Sequence, residues 1–169
     1  ARAASMAPNN SSVVLDLCAA PGGKTFVVAS NTDAQIHAFD IHPHKIEIIK
    51  KNAERMGISI IDARLGDGTH LQKEFVGKAD KVLCDVPCSG LGIIRRKPDI
   101  KWNKENIEEL PEIQYKILEN ASKYLKIGGE LVYSTCTIIK RENEDVINRF
   151  LEENENFELA EIKLSGKLN

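Results

Sequence analysis

An α/β fold with a mainly parallel sheet and helices on both faces follows from three features of this 169-residue sequence. Short apolar runs of strand length alternate with stretches of helix length. A glycine and proline cluster, Pro21-Gly22-Gly23, sits close behind the first of these runs, as it does where a buried strand feeds a turn. Hydrophobic residues make up 42% of the chain and charged residues 28%, enough apolar side chain for one core, so residues 1–169 read as one domain.

Each element has its own warrant. Residues 13–17, VVLDL, form the first strand. A helix follows from Gly23 to about Ser30. Residues 35–40, QIHAFD, form the second strand, and a helix runs from Pro43 to Met56, with proline at a first helical position and Gly57 as terminator. A third strand is expected near 59–65, a fourth at 80–86 (DKVLCDV) and a fifth at 130–135 (ELVYST). Between the last two lie a long loop, 87–103, and helical sequence over 104–125, where Pro111 predicts a break or a restart. A helix over 141–154 and a strand near 157–162 close the chain.

Several classes of function are excluded. No apolar run approaches the roughly 20 residues of a membrane helix, and no secretory signal opens the chain, so a cytoplasmic protein with reduced thiols is expected. The formal charge of −2 does not describe a globally basic nucleic-acid binder. Of the four cysteines, Cys18, Cys84, Cys88 and Cys136, only the middle two are close, and the histidines form no HExxH pattern. No metal site is expected.

In an open parallel sheet, ligands bind at the carboxyl ends of the strands. The residues after each strand therefore carry the argument. The first such segment is LDLCAAPGGKT, residues 15–25, whose small residues let backbone approach a ligand. Its GKT ending suggests a phosphate loop, but that motif needs glycine six places before Lys24, where Cys18 stands, and no GxGxxG is present either. Asp40 ends the second strand, 24 residues after Asp16. An acid there can hold ribose hydroxyls or cap the next helix. Asp67, in Gly66-Asp67-Gly68, is an ordinary turn residue by itself, and lies in register with Asp40.

Two further segments bring thiols to the same edge. Asp85-Val86-Pro87-Cys88-Ser89-Gly90 ends the fourth strand, and Ser134-Thr135-Cys136-Thr137 ends the fifth. Two thiols and a carboxylate thus converge on one cleft. Cys88 has a competing reading as buried filler, and the pair has one as a disulfide. From Arg95 to Lys104 there are five cations and one acid, while residues 141–169 carry eight acids and four cations. The basic segment Arg95-Arg96-Lys97, with Lys101, reads either as a solvated loop anchored by Trp102 or as a phosphate-contacting loop beside the thiols.

The segments LDLCAAPGGKT, DVPCSGLGIIRRKPDIKW and LVYSTCT together resemble the Sun/Fmu family of RNA cytosine-5 methyltransferases. IRRKPDIKW most resembles its bacterial branch, which acts on small-subunit ribosomal RNA. The resemblance spans about Val13 to Leu159. It implies a Rossmann-type fold that uses S-adenosylmethionine, with RNA as partner. By position, Cys18, Ala19, Ala20, Pro21, Gly22, Gly23 and Lys24 would line the cofactor. Asp40 would hold the ribose, Asp67 the adenine edge, and Asp85 would lie near the methionine moiety and the target base. Cys136 would be the nucleophile and Cys88 would assist product release. Arg95, Arg96, Lys97 and Lys101 would contact RNA. Relative to the family pattern, an N-terminal RNA-binding extension and a final strand are expected to be missing from the sequence. A monomer is favoured.

Two rival functions share these residues. In a DNA cytosine-5 methyltransferase the cysteine of the Pro-Cys pair attacks, which would promote Cys88 over Cys136. A non-catalytic RNA-binding module would keep the fold alone, but both thiols and three cleft carboxylates argue against lost chemistry.

Overall fold

The computed structural model of the chain describes residues 12–99 and 107–160. Five strands form one sheet: β1 (Val13–Asp16), β2 (Gln35–Asp40), β3 (Ile61–Leu65), β4 (Ala79–Asp85) and β5 (Leu125–Ser134). Their order is β3-β2-β1-β4-β5, and every pairing is parallel. Helices α1 (Gly23–Ala29), α2 (Pro43–Arg55), α3 (Leu110–Tyr124) and α4 (Glu144–Glu153) fill the connections. The order runs outward from β1 to β3, then jumps back to β4 on the other side of β1. The switch point therefore lies between β1 and β4, where doubly wound sheets form their crevice.

Period-two alternation sorts each strand between two covered faces. Leu15, Phe39, Val82 and Cys84 point to one face and pack with Ile117, Ala121 and Tyr124 of α3. Val14, Ile36 and Leu83 point to the other and meet Val28 of α1, while Ala38 and Ala63 meet Ile46 and Ile49 of α2. Burying each such valine, leucine or isoleucine contributes about 1.5–3 kcal/mol. Helix α4 lays Val146 and Phe150 against Tyr115 and Leu118 of α3. None of the described helices is long and apolar enough to cross a membrane.

The restart expected at Pro111 is where α3 begins: Leu110 opens the helix, Pro111 occupies its first turn, where its missing N–H costs nothing, and the described residues just before it, 107–109, are not helical. Two sequence expectations need correction. Strand β5 starts at Leu125 rather than at Glu130, because Ala79 pairs with Leu125 and Lys81 already pairs with Glu130. Residues 126–129 are thus extruded as a bulge, and the regular strand is the one read from sequence. Residues 157–160, expected in a strand, are irregular, and Phe157 packs on the Phe150 ring at 5.2 Å instead. The remainder of that expected strand, 161–162, lies outside the described residues, as does Lys101.

Candidate active site

All the strands are parallel, so their carboxyl ends share one rim. After β1 the chain turns through residues 17–22 into α1. Gly22 there has φ 103°, a left-handed value, and a Cβ on it would lie 2.6 Å from the Phe26 ring, so only glycine fits. The turn, with Asp16 and Asp85, encloses a cavity of about 230 Å³ lined by Cys18, Ala19, Ala20, Pro21, Gly23 and Lys24.

Two carboxylates, Asp16 and Asp85, line this cavity, while Asp40 stands outside its lining, behind Ala20. Asp16 is buried, and its Oδ2 accepts from Thr25 Oγ1 at 2.7 Å while Oδ1 has no hydrogen-bond partner among the described residues. Burial lifts its pKa to about 6, against the hydrogen bond from Thr25, which lowers it. The Cys18 thiol is pushed far up by burial and by the charges of Asp16, Asp40, Asp85 and Asp67 around it, so it stays a thiol. Asp40, also buried, accepts from the N–H of Ala20 at 3.3 Å and of His42 at 3.0 Å. The N-cap of α2 is His42, so Asp40 is not the cap; it ties the β1 turn to the end of β2.

Asp67 follows β3, beside Asp40, where the Gly66 N–H donates to the Asp40 carbonyl at 3.1 Å. Its carboxylate is occupied locally: Oδ1 accepts from Thr69 N–H and Oγ1 at 2.8 and 2.7 Å, and Oδ2 lies 3.0 Å from His70 Nδ1. Against some burial, the bonds from Thr69 and then His70 hold its pKa below the usual value. It does not line the cavity.

At the end of β4, Asp85 accepts from Lys24 Nζ at 2.6 Å through Oδ2 and from Ser134 Oγ at 2.7 Å through Oδ1. Beyond it, the two thiols meet: Cys88 Sγ lies 3.2 Å from Cys136 Sγ and also 3.2 Å from the Cys136 N–H. Both are free cysteines, Cys136 exposed and Cys88 half-buried, so neither the filler nor the disulfide reading describes them. Burial, then the hydrogen bond and charge of Cys88, push the Cys136 pKa up to about 11.

The basic loop reaches the thiols through its first turn, Leu91–Ile93. The Gly92 N–H donates to the Cys136 carbonyl at 3.0 Å, and a Cβ on Gly92 would sit 2.8 Å from that oxygen. Gly92, Ile93, Arg95 and Arg96 line an open groove, and Arg95, Arg96 and Lys97 are exposed. Sequence reasoning missed the residues behind the thiols. Gln114 of α3 and Glu142, from the turn Lys140–Glu142, are buried, and Asn143 follows them. Gln114 lies far from both cysteine loops in sequence, Glu142 and Asn143 lie far from the Cys88 loop they help to hold, and no local pattern marks any of them.

The residues around the cavity suit S-adenosylmethionine. Asp40 uses only part of its four-lone-pair capacity, leaving acceptors for a ribose diol, and the acids Asp16 and Asp85 with the cation Lys24 suit a ligand that carries both signs of charge. The sheet order and this rim are those of the Rossmann-type fold that S-adenosylmethionine-dependent methyltransferases share. Solved structures agree. NSun6 from Pyrococcus horikoshii, determined with SFG, superposes with a TM-score of 0.78 and 32% identity over 87% of this chain and 38% of that one. A methyltransferase homolog protein from the same organism gives 0.73 and 34% over 87% and 46%.

A sequence profile described as 16S rRNA methyltransferase RsmB/F matches residues 3–169, and the chain belongs to that family. A probable ribosomal RNA small subunit methyltransferase B of Bacillus subtilis (strain 168) is 42% identical over 156 residues, which cover 89% of this chain and 35% of the relative. The ribosomal RNA small subunit methyltransferase B of Escherichia coli (strain K12) is 40% identical over 161 residues, 92% and 37% respectively. The chain thus spans about a third of the length of these relatives.

Proposed function

We propose that this chain is the catalytic domain of an RNA cytosine-5 methyltransferase acting on small-subunit ribosomal RNA. The observation that carries the reading is the 3.2 Å approach of two free thiols beside the Asp85 end of the cofactor cavity. Bound S-adenosylmethionine supplies a methyl group on a cationic sulfur. Cys18 to Lys24 would line its site, with Asp40 toward the ribose, Asp67 toward the adenine edge and Asp85 toward the methionine end.

Carbon 5 of cytosine is a weak nucleophile. In this reading Cys136 gives up its proton and adds to carbon 6, forming the sulfur–carbon bond and making carbon 5 enamine-like. The greater exposure of Cys136 supports its role as the attacking thiol. Asp85, when protonated, would donate to the ring nitrogen at position 3 and stabilise the adduct. After methylation the proton on carbon 5 is removed and the sulfur–carbon bond breaks; Cys88, next to that sulfur, serves this release. The base must be unpaired or flipped out to reach the thiols. Arg95, Arg96, Lys97 and Lys101 would hold the flanking phosphates, a reading supported by the groove that Arg95 and Arg96 line with Gly92, whose neighbour is the Cys136 carbonyl.

The test uses labelled methyl transfer to ribosomal RNA and to DNA, with denaturing electrophoresis for covalent complexes. Cys136→Ala should abolish transfer and adduct. Cys88→Ala should still transfer methyl but leave a protein–RNA adduct. The opposite pattern, adduct trapped by Cys136→Ala and lost with Cys88→Ala, moves the nucleophile to Cys88, and transfer to DNA alone overturns the RNA reading.

A further inference from the structure

Behind the thiols, Glu142 is fully buried at 0% exposure. Its Oε2 accepts from the Ser89 N–H at 2.8 Å and from Gln114 Nε2 at 3.1 Å. The same Gln114 nitrogen donates to the Pro87 carbonyl at 2.8 Å. Both chain neighbours of Cys88 are therefore tied to this carboxylate, one directly and one through Gln114. Oε1 has no hydrogen-bond partner among the described residues.

Asn143 holds the other thiol's loop in the same way. Its Oδ1 accepts from Thr135 Oγ1 at 2.5 Å, and its Nδ2 donates to the carbonyls of Thr137 at 3.3 Å and Ile139 at 3.0 Å. Thr135 and Thr137 flank Cys136. Ser89 Oγ and Thr137 Oγ1, 2.7 Å apart, close the ring between the two loops. Two consecutive residues thus grip the two cysteine loops by their neighbours. A carboxyl group buried with one oxygen unpartnered costs stability that an apolar side chain would not. Core packing alone gives no reason for it.

We propose that Glu142 is a positioning residue that fixes Cys88 against Cys136, through the Ser89 N–H and the Gln114–Pro87 link. The consequence for RNA turnover rests on the release role given to Cys88 above; the geometric role does not. Phenylarsine oxide reads the geometry without RNA or cofactor. Two neighbouring thiols lose their protons to its oxygen as water while two arsenic–sulfur bonds form, with no change of oxidation state. The chain should be bridged at Cys88 and Cys136, as peptide mapping by mass spectrometry would read. Glu142→Ala should slow bridging about tenfold or more, the loss expected for one charge-assisted hydrogen bond. Glu142→Gln keeps an acceptor for Ser89 and should bridge within about twofold of the parent. Should Glu142→Ala fail to fold by circular dichroism, Gln114→Leu cuts the Pro87 link and should slow bridging in the same direction. A folded Glu142→Ala or Gln114→Leu variant that bridges at the parent rate overturns the proposal.

The second readout is turnover in the RNA assay. Glu142→Ala should lower kcat, leave KM for RNA unchanged and accumulate the covalent adduct, as Cys88→Ala does. Adduct trapped by Cys88→Ala but not by Glu142→Ala also overturns the proposal. If Cys88→Ala itself traps none while bridging responds as expected, the release role of Cys88 fails and the positioning role of Glu142 stands.

Discussion

Lys24 Nζ lies 2.6 Å from Asp85 Oδ2, joining the turn after β1 to the end of β4 across the switch point. The pair is open to solvent, with side chains 38% and 36% exposed, so it contributes less than about 1 kcal/mol to stability. Its importance lies in where it puts charge. Lys24→Met should leave the melting temperature within about 4 °C of the parent while weakening S-adenosylmethionine binding. A large loss of stability with unchanged affinity, by calorimetry on both, would reverse that assignment.

Asp40→Ala should weaken S-adenosylmethionine binding by roughly one to two orders of magnitude, because charge-assisted hydrogen bonds are each worth roughly 1.5–3 kcal/mol. The same carboxylate holds the Ala20 N–H, so the β1 turn should loosen as well. Titration calorimetry on a folded variant checks this; unchanged affinity removes the ribose role.

Asp16 should make stability depend on pH. Burial raises its carboxyl from 3.8 to about 6, so between these values the folded chain holds a proton that the unfolded chain has released. The stability this confers is complete below pH 3.8 and is lost as pH rises through about 6. The loss is on the order of 3 kcal/mol. Asp16→Asn cannot titrate and can still accept from Thr25. Its advantage over the parent should grow between pH 4 and 6 and then level off, as denaturant melts across pH would show. A constant difference would mean that Asp16 titrates normally.

Cys88→Ala should speed alkylation of Cys136 by iodoacetamide at pH 8. After burial, the Cys88 hydrogen bond and charge are the next causes that raise the Cys136 pKa, and removing them favours the reactive thiolate. Slower alkylation would show that Cys88 assists ionisation of its neighbour instead.

Gly92→Ala should impair catalysis without removing any side chain that could touch a ligand. The new Cβ would lie 2.8 Å from the Cys136 carbonyl, a backbone atom, so one of the two loops has to move. Methyl transfer should fall by an order of magnitude or more, since small misplacements of reacting groups cost about that. Wild-type transfer would mean that the loops yield freely.

Local signals made much of this architecture legible before any coordinates. VVLDL and DKVLCDV are apolar runs that each reach an aspartate just before their last residue, and both are strands flanking the switch point. Pro43 is readable as a helix start because only local geometry decides it, and the restart read at Pro111 obeys the same rule at α3. The extruded residues 126–129 were not legible, since a bulge depends on the partner strand's register. The segment Cys18 to Lys24 stands out because small residues leave a mark in sequence, and all of it but Gly22 lines the cavity. Glu142 and Gln114 were not, because a glutamate near a helix start looks like any other until the fold buries it beside Ser89.

Strand β4 is shared property. Its last residue, Asp85, faces the cavity, and three residues further on Cys88 faces the other thiol. Three residues of chain reach about 10 Å at full stretch. The separation between the methyl-donor side and the thiol side is therefore capped by a covalent tether. Neither helix movement nor a repacked core can pull the two apart, and any sliding of β4 carries both together.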